Sequence, residues 1–213
     1  VIPIYLQILF LILDCVFQTF QLLLNAEGKK IGNAEFIYAL NRDGSMKVQT
    51  TFEPDTSLVK SMARLGITFE MKDTYENVTY LGRGEHETYT DRNQSGKIGV
   101  YKTTPERMFH YYVVPQSTGN RTDVRWLQLT DEHGKGCWIE ANSFFQFSTF
   151  PFSDVILEKA RHINELKRDG KITIHLDAEQ AGVGTATCGP GVLPSYLVPL
   201  TKQTFDFTIY PVK

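Results

Sequence analysis

Two carboxylates, a phenol and a guanidinium fall within six residues at Glu87, Tyr89, Asp91 and Arg92. Carboxylates accept, a guanidinium donates and a phenol does both, so the set is able to bond several hydroxyls at once, as a sugar site requires. The glycines just upstream, Gly82 and Gly84, allow close backbone approach at the end of a strand. The same residues serve equally as a loop clamp, with an Asp91–Arg92 pair pinning the turn and Tyr89 in the core, because paired charges on loops are commonly structural. Residue types alone leave both readings open.

A second stretch enters a loop through Pro115, continues with Gln116, turns at Gly119-Asn120, and leaves on a strand carrying Arg125 and Trp126. Aromatic faces beside amide and guanidinium donors match the amphipathic face of a pyranose, and they match an ordinary sandwich corner as well. The third stretch, Asp177 to Gly191, contains Gln180, Gly182, Gly184, Cys188, Gly189 and Pro190. Its glycines and proline describe a tight excursion off a strand end, a place where loops often carry function. Pro190 and Pro194 forbid a following helix, so this is not a dinucleotide fingerprint. Cys188 has no evident His partner and reads as a small buried hydrophobe.

These stretches are connected by short strands. Glu35–Leu40 and Met46–Phe52 flank Asn41-Arg42-Asp43-Gly44, a hairpin signal, and Val124–Leu129 and Cys137–Glu140 flank a similar loop, Asp131 to Gly136. Leu65–Met71, Val78–Leu81, Lys171–Leu176 and Phe205–Val212 read as further strands. Phe144 to Phe152 holds five Phe in nine residues, too dense for a solvent face. One helix is expected, near 154–166, capped by Ser153 or Asp154 with Val155, Leu157, Ala160, Ile163 and Leu166 on its apolar side. Many strands, one helix and no strand–helix alternation predict an all-β, antiparallel sandwich.

The composition of the 213 residues agrees: 14 Phe, 10 Tyr and 2 Trp favour pleated surfaces. Lys and Arg total 22 against 24 Asp and Glu, a formal charge of −2, so nucleic acid is not an expected partner. Cys15, Cys137 and Cys188 lie far apart with no C-x-x-C, which supports no zinc ribbon or dithiol, and no metal site is expected in this chain. The compartment stays open between cytoplasm and periplasm. Val1 to Leu24 is apolar enough to raise a membrane or signal segment. Against that reading, there is no basic n-region, Asp14 at its centre would cost about 2.5–3.5 kcal/mol in lipid, and Gln7, Asp14, Gln18 and Gln21 would share a helical face. The segment is read as core strand or packed helix of a truncated start, and membrane is not an expected partner.

In order and spacing, the three stretches resemble the C-terminal domain of glycoside hydrolase family 2 β-galactosidases, the small chain. The family's aromatic-x-G-x-G-P-x-E-x-Y-x-D-R motif is matched by Tyr80, Gly82, Gly84, Glu87, Tyr89, Asp91 and Arg92. Its P-Q-E-x-G-N-x-T-D-V-R-W loop is matched by Pro115, Gln116, Gly119, Asn120 and Thr122 to Trp126. Its D-x-x-Q-x-G-x-G turn is matched by Asp177, Gln180, Gly182 and Gly184. The resemblance covers 23–213 and leaves 1–22 as an apolar segment to which it assigns no role. Glu85 stands in place of the family's Pro, Ser117 in place of its Glu, and Gly189 where well-known members carry a sugar-stacking Trp; either a neighbour such as Tyr196 substitutes or the acceptor-side subsite is more open.

The resemblance implies a galactose-mutarotase-like supersandwich that contacts a galactoside or other carbohydrate. It offers Glu87, Tyr89, Asp91, Arg92, Gln116, Asn120, Arg125, Gln180, Cys188 and Gly189 as candidate contacts. It implies no catalytic residue here: the carboxylate pair of retaining hydrolysis comes from a barrel earlier in such enzymes, as do the main ligands for their magnesium and sodium. Expected partners are the remaining domains of a β-galactosidase and a further copy in a homo-oligomer. The alternatives are a stand-alone carbohydrate-binding module and an aldose mutarotase-type epimerase, for which His86, His110, His133, His162 and His175 are the available bases.

Overall fold

A computed structural model describes residues 15–24, 28–57, 61–184 and 189–213. Eight strands form one continuous antiparallel path. Its order is β1 (Cys15–Leu24), β2 (Lys30–Leu40), β3 (Met46–Pro54), β10 (Gln203–Val212), β8 (Gly136–Phe150), β7 (Arg121–Thr130), β5 (Asn77–Gly84) and β6 (Lys97–Thr103). Off this path, β9 (Lys171–Gln180) pairs with β8 and β4 (Arg64–Lys72) pairs with β9. The fold is all-β and sandwich-type.

The fork lies within β8, whose residues 136–141 pair with β10 and whose residues 146–150 pair with β9. Against β7 the register jumps from Trp126↔Glu140 to Val124↔Phe145, so four β8 residues arch out opposite Arg125 alone. Past this bulge both faces of β8 are covered. Phe145 and Phe147 enter the main core with Val124, Leu127, Ile139, Ile174, Leu176, Phe205 and Phe207. Phe150 joins Phe109 and Phe152 in a satellite cluster. The phenylalanine-rich stretch is therefore interior except for Phe144, which is 58% exposed and lies under the Arg125 guanidinium at 4.1 Å.

The two hairpin turns share one mechanism. Asp43 Oδ1 accepts the Ser45 amide and Asp131 Oδ1 accepts those of His133 and Lys135, with Gly44 and Gly134 at φ 84° and 80°. The expected helix does begin at Asp154, but α2 (Asp154–Lys159) lasts six residues before Ala160 turns extended at φ −69°, ψ 130°. A 3₁₀ turn follows at Ile163–Glu165. Ile156, Leu157 and Leu166 pack on the satellite cluster while Val155 and Ile163 face solvent. A segment this short holds its shape through packing rather than propensity, and Asp154 adds a tether by pairing with His175 at 3.0 Å. Edge strand β6 and α1 (Pro105–Met108), capped by the Thr104 hydroxyl, were not expected from sequence, nor was the 3₁₀ turn at Pro194–Tyr196.

Of the apolar N-terminal segment, residues 15–22 belong to β1, zipped to β2 from Cys15↔Leu40 onward, and the rest lies outside the described residues. Among the described residues no helix is long and apolar enough to cross a membrane.

Candidate functional site

Strand β5 ends at Gly84, the Gly84–Glu85 peptide is cis, and the following loop folds back on itself through the Tyr89–Arg92 bridge. That loop carries the acidic motif between two others, the 112–119 segment and the glycine turn after β9. Each carboxylate of the motif holds one neighbour.

Glu87 is the hub on the first side. Its carboxylate accepts the Tyr112 hydroxyl at 2.6 Å, the Arg92 Nη2 at 2.7 Å, the Gly119 amide at 2.9 Å and the Tyr89 hydroxyl at 3.2 Å. Burial alone would raise its pKa, but the bonds from Tyr112 and Gly119, with the Arg92 charge, outweigh this and hold it below the ordinary glutamate value. Gly119 is obligatory here: φ is 75° and an added Cβ would sit 2.3 Å from the Met108 carbonyl. Tyr89 is buried, and both burial and the facing Glu87 push its phenol pKa up, so it acts as a neutral donor.

Asp91 holds the second side. Its two oxygens accept the consecutive amides of Val183 (3.1 Å) and Gly184 (2.7 Å). A Cβ at Gly182 would fall 2.4 Å from the Asp91 Cγ, so the glycine is what lets the carboxylate reach the turn. The Gly182 amide donates to the Tyr196 carbonyl at 2.9 Å, which ties the turn to the 3₁₀ segment Pro194–Tyr196. Thus Asp91 and Arg92 do not pair with each other; the guanidinium goes to Glu87 and the carboxylate to backbone amides.

Asn120 is buried, donating to the Thr88 carbonyl at 3.0 Å and to Gln146 Oε1 at 2.8 Å. The Gln180 side chain accepts Arg64 Nη2 at 3.2 Å, and Arg64 also pairs with buried Asp177 at 2.9 Å. Gln116 is exposed and donates within its own loop, to the Val114 carbonyl. Gly189 is exposed at the far side of the glycine turn, and Cys188 lies outside the described residues. Arg125 stands apart from the loop cluster, lining a cavity of about 330 Å³ with Ala141 to Phe144 in the arch of β8.

Two residues that matter were not singled out from sequence. Tyr112 completes the Glu87 hub. Arg121 lies at the unmatched position of the second motif and is 97% buried, with bonds to the Tyr80 hydroxyl and to the carbonyls of Gly119, Asn120 and Glu85. Around the glycine turn and the 112–119 loop, Val113, Val114, Val183, Leu193, Tyr196 and Leu197 are all exposed, Val113 at 86%. Among the described residues no cluster of His, Cys, Asp or Glu is arranged to hold a metal ion.

Comparison with known proteins bears on this site. The family model for the β-galactosidase small chain matches residues 14–210. A β-galactosidase of Priestia megaterium is 31% identical over 147 residues, covering 69% of this chain and 14% of that protein. One from Kluyveromyces lactis is 32% identical over 176 residues, covering 82% of this chain and 16% of that protein. The β-galactosidase BgaC of Bifidobacterium adolescentis is 38% identical over 122 residues. The chain thus spans about a sixth or less of the length of these relatives. With the family match running through nearly every described strand, the chain belongs to the β-galactosidase small chain family.

Proposed function

We propose that this chain serves as the closing domain of a glycoside hydrolase family 2 β-galactosidase, in the galactose-mutarotase-like supersandwich architecture that the resemblance implies. In this reading it walls the mouth of an active site whose carboxylate pair lies elsewhere in the enzyme, and it offers the 182–191 turn to carbohydrate. Retaining hydrolysis needs two carboxyl groups about 5–5.5 Å apart with freedom to attack and to transfer a proton. Glu87 and Asp91 are both committed to other work, one to a four-donor hub and the other to two backbone amides.

The observation that carries the reading is the Asp91 clamp. It fixes the start of the glycine turn at Val183 and Gly184, beside an exposed apolar rim suited to cover by the rest of an enzyme. Within the set of candidate contacts, Gly189, Gln116 and Arg92 are exposed, while Glu87, Tyr89, Asp91, Asn120 and Gln180 shape the edge from behind.

The test uses the purified chain and nitrophenyl-β-galactoside, with lactose titrated in parallel. The expected outcome is no hydrolysis and no saturable lactose binding by the chain alone. Hydrolysis free of contaminating enzyme would overturn the reading, and millimolar or tighter lactose binding would move it to a stand-alone binding module.

A further inference from the structure

A second cavity lies behind the Glu87 hub, away from the glycine turn. It is a cleft of about 510 Å³, within the range of small-molecule sites. Glu85, His86, Glu87, Arg92 and Ser95 line one side, Arg107, Met108, Phe109, His110 and Tyr112 the other, and Arg121 lines it from β7.

The charges in this cleft do not cancel. Three guanidinium groups meet two carboxylates, and the Arg92–Glu87 pair at 2.7 Å neutralises one of each. Arg107 and Arg121 then face Glu85 alone, with His86 and His110 beside them. Arg121 is 3% exposed, and all four of its bonded partners are neutral: the Tyr80 phenol and three carbonyls. A buried cation with neutral partners only is stabilised by an anion that can approach it. Among the described residues the side chains of Arg107 and His110 form no hydrogen bond or ion pair, so their donors are open to a ligand. His86 is bonded to Ser95 at 2.8 Å, which leaves its other ring nitrogen available.

We propose that this cleft binds a small oxyanion, a phosphate or carboxylate group, held by Arg107 and the imidazoles against the field of Arg121. The site differs in chemistry from the neutral-sugar edge at the glycine turn and does not depend on it. Glu85 opposes the anion, and it stands where the family's motif has Pro, so the acidic counterweight belongs to this chain rather than to the motif.

The experiment is an NMR titration of the full chain with inorganic phosphate, with D-galacturonate and neutral D-galactose as parallel arms. Saturable shifts of the Arg107, His86 and His110 side-chain signals are expected with phosphate or galacturonate, and the stronger of the two identifies the preferred anion. Arg107→Ala should weaken binding by about tenfold, the worth of one charge-assisted contact. Glu85→Gln should tighten it several-fold, and Lys202→Ala, which removes an equal charge outside the cleft lining, should leave it unchanged. Both cleft variants alter exposed side chains, so folding is preserved. Galactose binding as well as the anions, equal weakening by Lys202→Ala, or shifts that never saturate would each overturn the proposal.

Discussion

Removing the Asp91 carboxylate isolates what holds the glycine turn. In Asp91→Ala two charge-assisted bonds are lost, at 3.1 and 2.7 Å, each contributing about 1.5–3 kcal/mol. The Val183 contact is exposed and its amide rehydrates once freed, whereas the Gly184 contact is half-buried. The net cost is therefore about 2–3 kcal/mol, nearer one full bond than two. For a domain of this size the melting midpoint should fall by about 4–12 °C. The sharper assay is native-state hydrogen exchange of the Val183 and Gly184 amides. Their protection should drop by about 30- to 150-fold, while the amides of Leu127 and Ile174 in the core keep theirs. Asp91→Asn retains one carbonyl acceptor and should lose about half as much, and Gly182→Ala should mimic Asp91→Ala by forcing the carboxylate away. Unchanged exchange at Val183 and Gly184 in a folded Asp91→Ala protein would refute the clamp.

Arg92→Ala should cost less than about 1 kcal/mol by chemical denaturation, because the Arg92 side chain is 52% exposed and Glu87 keeps three other donors. A loss of about 3–5 kcal/mol, the mark of a broken buried pair, would contradict that geometry. Glu87 also sets an acid limb. Its folded pKa lies below the unfolded value, so its contribution is complete above about pH 4.3 and disappears as pH falls through the folded pKa. Asp177 runs the opposite way, since burial, despite Arg64 and His175, raises its pKa and its contribution is lost as pH rises. Glu87→Gln should accordingly flatten the fall in urea stability between about pH 5 and pH 3, while Asp177→Asn should steepen it. Burial pushes the Cys137 thiol up to about 11. Iodoacetamide at pH 8 should therefore spare Cys137 in the native chain and alkylate it in urea, read by peptide mass mapping.

Much of this molecule follows from local pattern. The Asp-Gly turns specify their hairpins because the Asp side chain and a left-handed glycine close the turn within a few residues. Motif order and spacing likewise mark three loops as the places to look for a site. Other features were illegible locally: β6 is a short edge strand whose burial alternates but whose apolar Ile98 and Val100 lie on the exposed face, so no apolar-in, polar-out pattern marks it. The 154–166 helix is cut at Ala160 because its apolar residues answer to a satellite cluster centred on Phe109, far away in sequence.

Partner choice is where tertiary structure alone decides. Asp91 and Arg92 are neighbours in the chain, and sequence offers them as a pair; in the fold, the 112–119 loop brings Tyr112 and the Gly119 amide to Glu87, and Arg92 joins that hub. The glycine turn then brings two amides to Asp91 from more than ninety residues away. Short-range chemistry sets which groups are able to bond. Which of them do bond is set by the strands β5, β7 and β9, whose ends bring the three loops together, because a carboxylate takes whichever donors the backbone delivers within about 3 Å.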